Sequence, residues 1–145
     1  MKLKEIVQAY KLLGKAKAGT IEDGEVLKIL KARATLKPYA DAYEAYLKDC
    51  QEKFKPDNWE DVEAKMVQWQ QGGSRAKLSD EEKVEIMEIA TNYQKKMDEA
   101  MKPEEDKEIQ VSLERLNQGS EIKIMRENGW TVEDLEVLKE LRPKI

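Results

Sequence analysis

The 145-residue chain has no histidine and a single cysteine, Cys50. That removes imidazole acid–base catalysis, Ser-His-Asp and Cys-His arrangements, and every Cys/His zinc site. Carboxylates are the abundant reactive type, with 30 Asp and Glu against 26 Lys and Arg. A catalytic pair must converge on a pocket, whereas Glu81, Glu82, Glu85 and Glu88 recur at steps that place side chains along one helix. The Glu-x-x-His repeats of di-metal bundles need histidines, and the Asp-x-Asp-x-Asp-Gly spacing of a calcium loop is absent. A solvated acidic face is expected, with no metal, no cofactor and no enzymatic activity.

The other reactive-looking groups read the same way. Gly14-Lys15-Ala16-Lys17-Ala18-Gly19-Thr20 spaces two glycines as a phosphate loop does, but it lacks the lysine before the hydroxyl residue and no strand precedes it. A plain interhelix loop is expected. Tyr39, Tyr43 and Tyr46, with Trp59 and Trp69, suit a core or protein interface. Cys50 falls between Leu47 and Phe54 in an apolar pattern and reads as an inert buried thiol. One cysteine cannot form an internal disulfide.

Net charge is −4 but uneven: residues 1–37 carry nine basic and four acidic side chains, the remainder 17 basic and 26 acidic. Lys28, Lys31, Arg33 and Lys37 form a candidate basic face, and a nucleic-acid-associated regulator is the alternative reading it offers. No aromatic is interleaved among these charges, so nucleic acid is the less favoured partner. Arg33 is expected to pair with an acid of a neighbouring helix or to set register. No uninterrupted apolar run of about 7–15 residues opens the chain, and none approaches the roughly 20 of a membrane span. A soluble cytoplasmic protein without membrane contact is expected.

These residues are positioned by helices. Charged residues are 39% of the chain and hydrophobic ones 40%, with only four Pro and seven Gly, which suits amphipathic helices. Leu3, Ile6, Tyr10 and Leu13 share a face of a first helix over 2–13, with Gly14 as its left-handed stop. Thr20 with Asp23 predicts the N-cap of the next. From there Val26, Ile29, Arg33, Leu36, Ala40, Tyr43, Leu47, Cys50 and Phe54 alternate by three and four, the seam of a long coiled-coil-like helix over about 22–55. It would be roughly 50 Å long. Pro38, which lacks the N–H a helix interior uses, predicts a kink near 34–37. Val26, Ile29, Leu36, Tyr43, Leu47 and Phe54 are the candidate interaction seam, for a protein partner or a second copy.

Asp57 is the expected cap of a short helix over 58–70 carrying Trp59, Val62, Met66 and Trp69. The stretch 72–78, containing Gly72-Gly73-Ser74, reads as a linker between an N-terminal part (1–71) and a C-terminal part (79–145) that share one core. Ser79 with Glu82 opens a helix to about Met101, its inward face Ile86, Ala90, Tyr93, Met97 and Ala100, ended by Pro103. Ile109, Val111 and Leu113 alternate with polar residues as one extended segment in need of a partner. Ser120 is expected to cap a short helix stopped at Asn128-Gly129, in preference to a hairpin. Thr131 with Asp134 caps a last helix carrying Val132, Leu135, Leu138 and Leu141. The fold class is all-α: a long helix packed with shorter ones in an irregular bundle.

The short helix, the turn Leu12-Leu13-Gly14-Lys15-Ala16 and the long helix ending near Phe54 make a pattern. So does the closing stretch Ile124-Met125-Arg126-Glu127-Asn128-Gly129-Trp130-Thr131-Val132-Glu133-Asp134-Leu135. Together they resemble small proteins encoded among the head and tail assembly genes of tailed phages and prophages. The resemblance covers half the chain and leaves out Trp59–Lys77. It implies an assembly or accessory role through protein contacts in the bacterial host cytoplasm, and no site residues.

Overall fold

The computed structural model describes residues 1–72 and 78–144, ordered by α1 (Leu3–Gly14), α2 (Asp23–Phe54), α3 (Trp59–Gly72), α4 (Asp80–Glu105), α5 (Gln118–Asn128) and α6 (Val132–Val137). The all-α class and the long helix follow the three-four apolar alternation. The described residues group into two compact units, one formed by 1–45 with 104–144, the other by 46–103. This division runs through α2 and α4 and not at the expected linker, of which residues 73–77 lie outside the described residues.

In the first unit the core gathers Ile6, Leu13, Ile29, Leu36, Leu116, Ile124, Leu138 and Leu141. Ile6 and Leu36 are fully enclosed. Side chains of this size each gain roughly 1.5–3 kcal/mol from full burial. α6 packs on α1, and Lys139 reaches Glu5 at 3.2 Å. The extended segment finds its partner at residues 1–3. The Leu3 N–H donates to Lys107 O and the Ile109 N–H to Met1 O, each at 2.9 Å, around an antiparallel bridge of Lys2 with Glu108. Ile109, Val111 and Leu113 are half-buried and alternate with exposed Gln110, Ser112 and Glu114, as their pattern predicts. No hairpin forms, because Glu121–Met125 is helical in α5.

Helix ends depart from expectation in detail. Gly14 is the last helical residue and Lys15 caps α1 in the right-handed region, so no left-handed glycine is used there. Among the described residues the one positive φ belongs to Gly129, at 62°, which ends α5 as the Asn128-Gly129 pair predicts. α2 opens at Asp23, where Glu22 O accepts from the Glu25 and Val26 N–H groups, and Thr20 is not its cap. At α3 it is Asn58, not Asp57, whose carbonyl accepts the first bond, from the Val62 N–H at 3.0 Å. At α5 the cap is Asn117, whose side chain accepts from the Ser120 N–H at 2.7 Å; Ser120 is the residue being capped. The Thr131–Asp134 capping box of α6 and the Ser79 cap of α4 form as expected. Leu135, Leu138 and Leu141 are buried, the last two in the turns after α6, but Val132 is 72% exposed.

α2 is unbroken through Pro38, and α4 runs two residues beyond Pro103 to Glu105. A proline removes one N–H donor and crowds the preceding turn, which a well-packed helix absorbs at a cost of about 3 kcal/mol. The second unit comprises the end of α2, α3 and most of α4, with Cys50, Val62, Ile86, Met97 and Met101 buried. Trp59 and Tyr93 stack there at 4.6 Å with an interplanar angle of 15°. Among the described residues no helix is long and apolar enough to cross a membrane.

Candidate functional site

The apolar seam of α2 faces inward along its whole length. Ile29, Leu36, Ala40 and Cys50 are buried, and Val26, Tyr43, Leu47 and Phe54 are half-buried. The chain's own elements therefore cover Ile29 and Leu36 of the candidate interaction seam fully and its other four residues in part. Tyr43 donates its hydroxyl proton to Glu105 Oε1 at 3.1 Å. Burial and the neighbouring Glu105 carboxylate push this phenol up to about 12. Tyr46 donates to Ala100 O at 3.1 Å. Burial, with Glu52 and Glu63 nearby, likewise raises Tyr93 above the ordinary phenol range. Held by acceptors or stacked, these aromatics contribute to packing within their units.

The candidate basic face is largely neutralised. Lys28 lies 2.9 Å from Glu25 and donates to Arg115 O, Lys31 is 3.8 Å from Glu114, and Lys37 is 2.9 Å from Asp41. The Asp41 hydrogen bond raises the Lys37 pKa. Arg33 has no acid partner among the described residues, contrary to expectation. Its guanidinium lies 4.4 Å from the Tyr10 ring centroid, and its buried Nε has no hydrogen-bond partner. Gly14 makes room for it: a Cβ there would meet Arg33 Nε and Nη2 at 3.2 Å. Stacking on a ring replaces the ion pair, as suits a weakly hydrated planar cation.

The loop after α1 is a clasp, and its contacts are to the chain itself. The Lys17 N–H donates to Asn128 Oδ1 at 2.7 Å, and Asn128 Nδ2 returns a bond to Lys17 O at 2.8 Å. Thr20 Oγ1 donates to Glu127 Oε2 at 3.1 Å. Among the described residues no group of three or more His, Cys, Asp or Glu is placed to hold a metal ion.

The second unit carries an open apolar surface on a face of α4 beside its buried stripe, as α2 of the first unit exposes Leu27 and Leu30. Val84 is 59% and Met87 51% exposed, beside the half-buried Trp69 of α3. With Lys83, Glu88, Thr91 and Asn92 they line a shallow groove of about 530 Å³. Lys83 Nζ lies 5.6 Å from the Trp69 ring centroid. Val67 of α3 adds another exposed apolar side chain. Asp80, Glu81, Glu85 and Glu88 border Val84 on a second shallow depression, so the carboxylates expected as a solvated acidic face rim this surface.

Comparison with protein-family models, curated proteins and solved structures finds no match for this chain. The surface must be read from its own chemistry. Sequence reasoning missed it because α4 carries apolar residues on two faces. Ile86, Ala90, Tyr93 and Met97 make the longer stripe and take the core, as expected. Val84, Met87 and Thr91, at steps of three and four, were the signal for the second face.

Proposed function

We propose that this chain is a non-enzymatic interaction protein that works in the cytoplasm. Its role is that of an assembly or accessory factor, in keeping with the tailed-phage proteins its helix pattern resembles. The observation that carries the reading is the exposed pair Val84 and Met87 beside Trp69 on the α3–α4 surface. Large apolar side chains left in water on a rigid helix gain when a partner covers them, and Trp and Met are enriched at the centres of interfaces. Lys28, Lys31 and Lys37 of α2 each have a carboxylate within 4 Å, which weakens the nucleic-acid reading.

The test is a photo-crosslinking residue at Met87 in the purified chain, mixed with extract of the cells that carry its gene. One discrete crosslinked protein is expected, which rebinds when purified and is lost with Val84→Glu. A folded protein that gives no crosslink from Met87, or one indifferent to Val84→Glu, refutes the reading.

A further inference from the structure

We propose that the partner segment accepted by the Val84–Met87 surface is a basic amphipathic helix, an inference that rests on the interaction reading above. The floor is formed by Val84, Met87, Glu88, Thr91 and Asn92 of α4, spaced to occupy one face over about two turns. A straight helical ridge of that kind is matched by a second helix laid along it, with apolar residues repeating every three and four positions. No backbone hydrogen-bonding edge is offered, because α4 satisfies its own N–H and C=O groups within the helix.

Charge decides which helix. Between Asp80 and Asn92, α4 carries five carboxylates, Asp80, Glu81, Glu82, Glu85 and Glu88, against the single cation Lys83. Four of the five border Val84, and all four are exposed. Lys83 is turned toward the Trp69 ring. The apolar strip is therefore bordered by negative charge along its Val84 edge, and lysines or arginines beside the partner's apolar stripe complete it. A second copy of this chain would bring one acidic border against another of the same sign, which disfavours pairing of two copies on this face. The charges that select a basic partner thus weigh against self-association on this face.

The probe is a labelled synthetic peptide of about 18 residues, about five helical turns. It carries leucines at helical three-four spacing and lysines on the flanks. One companion replaces every lysine by glutamate; another scrambles the order and so destroys the amphipathic face. Fluorescence anisotropy with the full chain is expected to give binding of the basic amphipathic peptide roughly tenfold tighter than of either companion, a difference near 1.4 kcal/mol. Affinity should fall as salt rises above about 0.1 M, where the Debye length is about 10 Å. Met87→Ala is expected to weaken binding roughly tenfold. Glu85→Lys with Glu88→Lys should reverse the preference toward the acidic peptide. All three side chains are exposed, so the variants fold, and an unchanged far-ultraviolet circular dichroism spectrum checks it.

Equal binding of the scrambled peptide, no binding of the basic one, or indifference to the charge reversal would each overturn the inference. The Met87 crosslink separates its failure from that of the interaction reading. A partner captured there whose docking segment is acidic or non-helical removes the basic helix and leaves the interaction protein. No partner there removes both.

Discussion

Removing the Glu25 carboxylate should loosen the attachment of the extended segment to α2. Glu25 is 7% exposed, and its two oxygens accept three bonds: from Lys28 Nζ at 2.9 Å, Asn117 Nδ2 at 3.0 Å and the Asn117 N–H at 3.2 Å. Lys28 in turn donates to Arg115 O at 3.0 Å. Bonds to an ionised group contribute about 1.5–3 kcal/mol each when desolvated. Asn117 is exposed and Lys28 is half-exposed, so water recovers much of what Glu25→Ala removes. The variant should therefore lose about 2–3 kcal/mol, not the sum of three buried bonds. At about 2–4 °C per kcal/mol for a chain of this size, the midpoint should drop by roughly 4–12 °C. Glu25→Gln keeps one acceptor oxygen and should lose about half as much. Urea unfolding followed by circular dichroism measures both. A loss below about 0.5 kcal/mol for Glu25→Ala would show that the contacts are surface decoration. Equal losses for Ala and Gln would show that charge alone matters.

Two other perturbations probe the backbone and the phenol. Gly129→Ala should cost about 1–2 kcal/mol in urea unfolding: φ is 62° and no atom beyond its chain neighbours lies within 4 Å of the new methyl, so backbone strain dominates. An unchanged stability would mean α5 ends differently. Tyr43, pushed up to about 12 from 10, favours the neutral phenol in the folded state. Its contribution is fully present below the unfolded pKa and is lost as pH rises through the folded one, a window from about 10 to 12. Absorbance titration of tyrosinate should show a late phenol that Tyr43→Phe removes; its persistence in that variant would refute the assignment.

Much of the fold was legible because apolar spacing and burial share a cause. The seam of α2 and the inward faces of α3 and α4 follow from three-four steps, and Ile109, Val111 and Leu113 from steps of two. The caps were less legible, since Asn117 and Ser120, or Asp57 and Asn58, each offer an oxygen able to accept from a free N–H, and geometry selects one. The partner of the extended segment was illegible: residues 1–3 meet 107–109 through backbone atoms, which any sequence has. The pattern of α2 reported that its seam is apolar, not what covers it. The acid partner expected for Arg33 is absent among the described residues because a ring and a glycine lie beside it instead.

The division of the chain into a contiguous unit and a discontiguous one also sets a schedule. On a ribosome adding about 5–20 residues per second, residues 46–103 are all synthesised while the first unit is still half made. Ile6, Leu13, Ile29 and Leu36 must wait for Leu116, Ile124, Leu138 and Leu141, roughly a hundred residues and 5–20 seconds later. For that interval the most apolar face of α2 is uncovered, which is when the nascent chain is most open to chaperone capture or to pairing with its neighbours on the same message.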